Sequence, residues 1–275
     1  MCKLFLIALF CFAFIIPSHA SSVDTVNIYS PSMHKYISCC VVKPKAYKKK
    51  KNHFPTVYIL HGYDGSFRNW LTKVPELMAY ADEYKCIIIT PDGAKNSWYF
   101  DSPINDSFRY ETFIAIEVPH FIDSAYRTIA DRDHRAITGL SMGGHGALYL
   151  AWRHPETFGA VASMSGGVDL NESKNRFQIE KLLGKSTDHP DYWKNNSVVN
   201  IVENKPSLPL DILIDCGESD IFILGNRALH NKLSSLKIPH EYIERPGGHS
   251  WAYWKNALEY HLLFFRKYFE LKKSG

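Results

Sequence analysis

Two kinds of apolar pattern alternate along the chain. Short unbroken runs, at Thr56 to Leu60, Cys86 to Thr90, Arg135 to Thr138, Ala160 to Met164 and Leu210 to Cys216, have the length and β-branched content of strands buried on both faces. Between them, apolar positions recur every three or four residues at Phe67 to Tyr84, Tyr110 to Tyr126, Ala147 to Trp152, Leu224 to Leu236 and Trp251 to Phe269. That spacing predicts helices with one face on a core. Val23 to Tyr29 and Lys35 to Val42 read as an antiparallel edge pair, and His240 to Glu244 as a final strand. The alternation predicts an α/β fold, a mostly parallel central sheet flanked by helices. From Gly167 to about Pro206 the pattern lapses into a polar, Asn- and Lys-rich stretch with short helical pieces. It predicts a small cap-like insertion (167–206) over the sheet within a single domain, 21–275.

Composition narrows this picture. A chain of 275 residues with 45% hydrophobic and 14% aromatic content can bury one large core. The net charge of +4 is modest and partly local, in the run Lys43 to Lys51, which reads as a solvated hairpin loop. No array of basic and aromatic residues accompanies it, so nucleic acid is not an expected partner.

Residues 1–20 have the layout of a signal peptide. Lys3 supplies a positive start, Leu4 to Ile16 an apolar stretch short for a bilayer, and Pro17-Ser18-His19-Ala20 a small-residue end. Cleavage near Ala20 is expected, giving a secreted or periplasmic protein without stable membrane insertion. The mature chain then keeps Cys39, Cys40, Cys86 and Cys216, whose spacing is that of no small-domain disulfide framework. Buried free thiols are the expectation.

The candidate chemistry starts at Gly139-Leu140-Ser141-Met142-Gly143, a G-x-S-x-G pattern between a strand-like and a helix-like run. A nucleophile elbow needs small residues two positions either side of the serine, because the turn from strand to helix leaves no room for larger ones. Ser141 is therefore the candidate nucleophile. A base and an orienting acid should follow, acid first. Of the 13 histidines, His249 lies in the glycine-bearing loop Pro246 to Trp251 just after the last strand, within reach of the serine. His61 is expected to shape the loop it precedes, and His145 to pack or cap on the nucleophile helix. Asp215, Glu218 and Asp220 are the acid candidates after the penultimate strand; Asp220 is preferred, since Asp215 lies inside the strand and Glu218 is free to be solvated. Backbone donors for an oxyanion are expected at Met142, after the nucleophile, and at Tyr63 in the loop His61 to Gly65.

Six motifs together carry a family resemblance: HGYDGSFRNW (His61 to Trp70), SWYFDS (Ser97 to Ser102), YETF (Tyr110 to Phe113), GLSMGGHGAL (Gly139 to Leu148), CGESD (Cys216 to Asp220) and GGHSW (Gly247 to Trp251). The chain resembles the esterase D family, with its S-formylglutathione hydrolases, tributyrin-type esterases and family 1 carbohydrate esterases, including feruloyl and acetylxylan esterases. The resemblance spans Val23 to Phe269. It implies the α/β-hydrolase fold, Ser141, Asp220 and His249 as nucleophile, acid and base, and the amides of Tyr63 and Met142 as oxyanion hole, with no metal or cofactor. The segment 167–206 is its weakest part, so substrate identity does not carry over.

Export favours an ester met outside the cytoplasm, such as an acyl or hydroxycinnamoyl group on plant cell-wall polysaccharide. Trp70, Trp98, Tyr99 and Trp251 lie beside the catalytic loops as candidate stacking surfaces, with ordinary core packing as the alternative. Asp101 is a candidate acceptor for a substrate hydroxyl, and equally a turn cap. The competing readings are an acyltransferase of mycolyltransferase type, a peptidase or lipase on the same scaffold, a general short-chain esterase or S-formylglutathione hydrolase, and a non-catalytic carbohydrate-binding relative.

Overall fold

The computed structural model describes residues 21–204 and 208–272, so the expected signal peptide lies outside the described residues. Among the described residues, eight strands form one sheet in the order β1-β2-β4-β3-β5-β6-β7-β8. They are β1 (Ser22–Ser30), β2 (Lys35–Lys43), β3 (Thr56–Leu60), β4 (Ile87–Pro91), β5 (Arg135–Gly139), β6 (Ala160–Met164), β7 (Asp211–Gly217) and β8 (Glu241–Arg245). β1 and β2 pair antiparallel with each other and β2 antiparallel with β4; every other pairing is parallel.

The parallel strands β3 to β6 are buried along their whole length, which is why they read as unbroken apolar runs. Edge strands β1 and β8 are mixed. One face of the sheet packs on Leu77, Ala81 and the C-terminal helix Trp251–Lys272 through Leu258, Leu262 and Phe265. The other packs on Ile114, Val118 and Ile122, on the helix Met142–Arg153, and on Val198 and Ile201 of the insertion.

Three expectations change in detail. The predicted helix Phe67 to Tyr84 is two helices, Asn69–Lys73 and Leu77–Glu83. Pro75 separates them, because the residue before a proline is pushed out of the helical region; Val74 has ψ 79°. Tyr110 to Tyr126 is continuous but widens into a π turn at Phe113–Glu117, just where Pro119 has no N–H to return to Ala115. The lysine run is not a hairpin: β4 lies between β2 and β3, so the run is a crossover containing the short 3₁₀ turn Lys45–Lys48. Lys48 to Lys51 are exposed, as a solvated loop requires.

Cys39, Cys40, Cys86 and Cys216 are buried and free. Among the described residues no helix is long and apolar enough to cross a membrane.

Candidate active site

β5 runs directly into the elbow. Ser141 has φ 55° and ψ −116°, a left-handed backbone that an L-residue adopts only when its surroundings enforce it. The enforcement is close packing. A Cβ on Gly139 would lie 2.5 Å from the carbonyl oxygen of Gly143, and one on Gly143 would lie 2.6 Å from the carbonyl oxygens of both Leu60 and His61. Both neighbours are backbone, so neither can yield.

The strands β7 and β8 deliver the other two groups. Their register sets Gly217 opposite Arg245, and beyond it the Glu218 amide donates to the Arg245 carbonyl and the Ser219 amide to the Gly247 carbonyl, each at 2.9 Å. The loops carrying Asp220 and His249 are thus tied together. His249 Nε2 lies 2.9 Å from Ser141 Oγ, and His249 Nδ1 lies 3.0 Å from both carboxylate oxygens of Asp220. Asp220 is buried, and its Oδ1 also accepts from the Phe222 amide at 2.9 Å. The His249 ring is held edge-on between Phe222 and Trp254, at 5.3 and 4.8 Å between centroids.

The other acid candidates go elsewhere. Glu218 is exposed. Asp215 is fully buried and committed to Arg245 Nη2 and the Tyr253 hydroxyl, both at 2.5 Å.

The loop after β3 reaches the same place. Within it the amides of Asp64 and Gly65 donate to Lys95 and Gly62, and across the elbow Gly143 donates to Leu140. The Tyr63 and Met142 amides have no such backbone partner among the described residues. For Met142 this follows from its place at the first position of a helix, where N–H groups have no intrahelical acceptor. Tyr63 borders a cleft of about 480 Å³ lined by Gly62, Leu140, Ser141, Phe177, His249, Trp251 and Trp254 among others, and Met142 directly follows Ser141 at its floor.

His61 does shape its loop. Its Nε2 accepts from the Gly93 amide at 2.8 Å, which leaves Nδ1–H to donate to the Gly62 carbonyl at 2.9 Å. Burial depresses its pKa, consistent with a neutral ring. His145 packs on the buried face of the nucleophile helix, its Nε2 2.9 Å from the Asn196 carbonyl and its pKa pulled down by burial to about 4.

The stacking candidates divide. Trp251 lines the cleft. Trp70, Trp98 and Tyr99 are instead core residues with 0 to 1% exposure, unable to meet a substrate face. Their polar atoms are spent on carbonyls: Trp70 Nε1 on Leu60, Trp98 Nε1 on Phe177 and the Tyr99 hydroxyl on His61. The Tyr99 ring fills the space beside two glycines, Gly93 and Gly146, where a Cβ would overlap it. Asp101 is a cap: it accepts from the Thr112 amide at 3.0 Å and the Thr112 hydroxyl at 2.5 Å. Sequence reasoning missed Trp254 and Phe177. The first carries a signal, one helical turn after Trp251; the second, in the polar insertion, carries none.

A mostly parallel sheet whose strand-to-helix elbow presents a serine to a histidine and a buried carboxylate defines the protein as an α/β-hydrolase. The Esterase family model matches residues 30–265, and the chain belongs to that family. It is 26% identical over 268 residues to an acetyl esterase of Caldicellulosiruptor saccharolyticus, covering 87% of this chain and 97% of that one. It is 27% identical over 231 residues to an S-formylglutathione hydrolase of Paracoccus denitrificans, covering 76% and 80%. Among solved structures, a ferulic acid esterase superposes with a TM-score of 0.79 at 29% identity, over 91% of this chain and 99% of that one.

Proposed function

We propose that the protein is a serine carboxylic-ester hydrolase working through an acyl-enzyme. The observation that carries this reading is the unbroken contact chain from Asp220 through His249 to Ser141, beside two amides with no backbone partner among the described residues. In this mechanism His249 Nε2 takes the Ser141 proton as Oγ attacks the ester carbonyl. The Asp220 carboxylate holds the Nδ1–H tautomer and stabilises the imidazolium. The Tyr63 and Met142 amides receive the oxyanion. The imidazolium then protonates the departing alcohol, and water repeats the cycle on the acyl group.

For substrate we propose an acyl or hydroxycinnamoyl ester of plant cell-wall carbohydrate, met after export and cleavage near Ala20. The aromatic cleft lining of Tyr63, Phe177, Trp251 and Trp254 supports a flat acyl group or sugar face. So do the ferulic acid esterase neighbour and the acetyl esterase relative. The S-formylglutathione hydrolase relative favours a second reading, a thioester of glutathione.

One panel separates them. Mature protein is offered methyl ferulate, acetylated xylan, short-chain nitrophenyl esters and S-formylglutathione. Ser141→Ala should lose about 10⁴-fold or more in kcat on whichever is cleaved. Activity retained in that variant, or no cleavage of any of the four, sinks the proposal. Preference for S-formylglutathione would replace the carbohydrate reading alone.

A further inference from the structure

The insertion touches the oxyanion loop at Phe177 and Gln178, and the contact is constrained. Three residues at its tip, Asn175, Phe177 and Gln178, have φ of 60°, 55° and 57°. A bulky aromatic residue in the left-handed region is held there by its surroundings. Here Trp98 Nε1 donates to the Phe177 carbonyl at 3.3 Å, and the Phe177 ring packs against Trp98 and Phe222, each 6.0 Å between centroids. Gln178 Oε1 accepts from Asn96 Nδ2 at 3.0 Å and from Lys181 Nζ at 3.1 Å, which orients its amide.

What this strained tip holds is Tyr63. The Phe177 ring meets the Tyr63 ring edge-on at 5.4 Å, and Gln178 Nε2 donates to the Tyr63 hydroxyl at 2.9 Å across 115 residues of sequence. The Gly62–Tyr63 peptide that carries this amide is held at its carbonyl, which accepts from His61 Nδ1 at 2.9 Å and from the Gly65 amide at 3.1 Å. An oxyanion donor must be aimed to within a few tenths of an ångström. The bonds within the turn hold the peptide on one side of the Tyr63 Cα, and a side chain fixed at its ring and at its hydroxyl holds the other.

We propose that Phe177 and Gln178 are positioning residues for the reaction. By clasping the Tyr63 side chain they set the aim of the Tyr63 amide, so the insertion tunes the oxyanion hole as well as walling the cleft. This rests on the oxyanion role proposed for Tyr63. Neither residue touches the reacting atoms; both act through Tyr63.

The test is a double-mutant cycle of Tyr63→Phe and Gln178→Ala, read on a nitrophenyl ester and on inhibition by phenylboronic acid, which forms a tetrahedral adduct on the serine. Tyr63→Phe keeps the backbone amide and the ring and removes only the clasped hydroxyl. Each single variant should lower kcat by about five-fold with KM within about two-fold, and weaken the boronic acid by the same factor. The double variant should lose no more than either single one. Gln178→Glu, whose carboxylate accepts from the Tyr63 hydroxyl, should recover most of the loss. Unchanged kcat, strictly additive losses, or a change in KM alone would overturn the proposal. With Ser141→Ala inactive in parallel, any of these results removes the clasp and leaves the ester-hydrolase reading standing; activity in Ser141→Ala removes both.

Discussion

The elbow shows how few atoms decide the site. Gly143 lies so near the Leu60 and His61 carbonyl oxygens that one methyl group would force β3 and the nucleophile helix apart. Gly143→Ala should therefore displace Ser141 and Tyr63 together, with a kcat loss of about 100-fold or more even where the variant folds. Steady-state kinetics alongside circular dichroism check it. The three acid candidates also separate at this scale. Asp220→Asn, which leaves the histidine with the wrong tautomer, should cost about 10⁴-fold in kcat. Glu218→Gln, an exposed side chain, should change kcat less than about two-fold. A large loss in the second variant and not the first would move the acid to Glu218. Residue type and order along the chain were enough to propose Ser141, His249 and Asp220, because each follows a strand end. They were not enough for Trp70, Trp98 and Tyr99. Nearness in sequence to a catalytic loop says nothing about which side of that loop a ring fills.

Between elements, the least legible feature is the anchor of the nucleophile helix. Glu111 accepts from Arg153 Nε at 2.7 Å, His154 Nε2 at 3.0 Å and the Tyr149 hydroxyl at 2.7 Å, joining the start of the helical segment 110–125 to the last turn of Met142–Arg153. The same hydroxyl oxygen lies 2.8 Å from Asn196 Oδ1 of the insertion. Burial pushes the Glu111 pKa up, but the bonds to His154, Arg153 and Tyr149 outweigh it and bring it down to about 2. Burial likewise lowers His154, while its bonds to Glu111 and Glu156 raise it above the ordinary value on balance. The depressed carboxylate contributes stability above pH 4.5 that is lost as pH falls toward 2, on the order of 3 kcal/mol. The raised imidazole contributes stability present below pH 6.5 and lost as pH rises through its higher folded value. Glu111→Gln should therefore destabilise most between about pH 4.5 and 6.5, with the difference from wild type shrinking on either side. Thermal melts across pH 2 to 9 measure this, and a pH-independent difference would refute it. The sequence shows Glu111 only as part of YETF. Its partners are 38 to 43 residues away, a pairing that only the packed helices create.

Across the whole molecule, the fully buried Asp215 and the half-buried Arg245 bridge β7 and β8 under the loops that carry Asp220 and His249. Arg245 reaches Asp215 at 2.5 Å and Asn256 at 2.6 Å, so the C-terminal helix is tied to the same point. Removing the arginine strands the carboxylate of Asp215 in a dry site. Arg245→Met should cost about 3–5 kcal/mol of stability, and Lys255→Ala, which breaks an exposed pair with Glu76, less than about 1 kcal/mol. Chemical denaturation of both variants measures the contrast; equal effects would show that burial does not set the cost.

By itself the sequence determined what depends on short-range pattern. Strand and helix positions followed from periodicity, since a strand buried on both faces admits few polar side chains and only with partners. The elbow followed from glycines that no other residue can replace. Tertiary structure decided what depends on which surfaces meet. Sheet order made the lysine run a crossover, burial sent three aromatic rings into the core, and a strained tip in the polar insertion brought Phe177 and Gln178 onto Tyr63. No local pattern encodes these contacts, because each joins residues far apart in the chain through a packing geometry that exists only once the sheet is assembled.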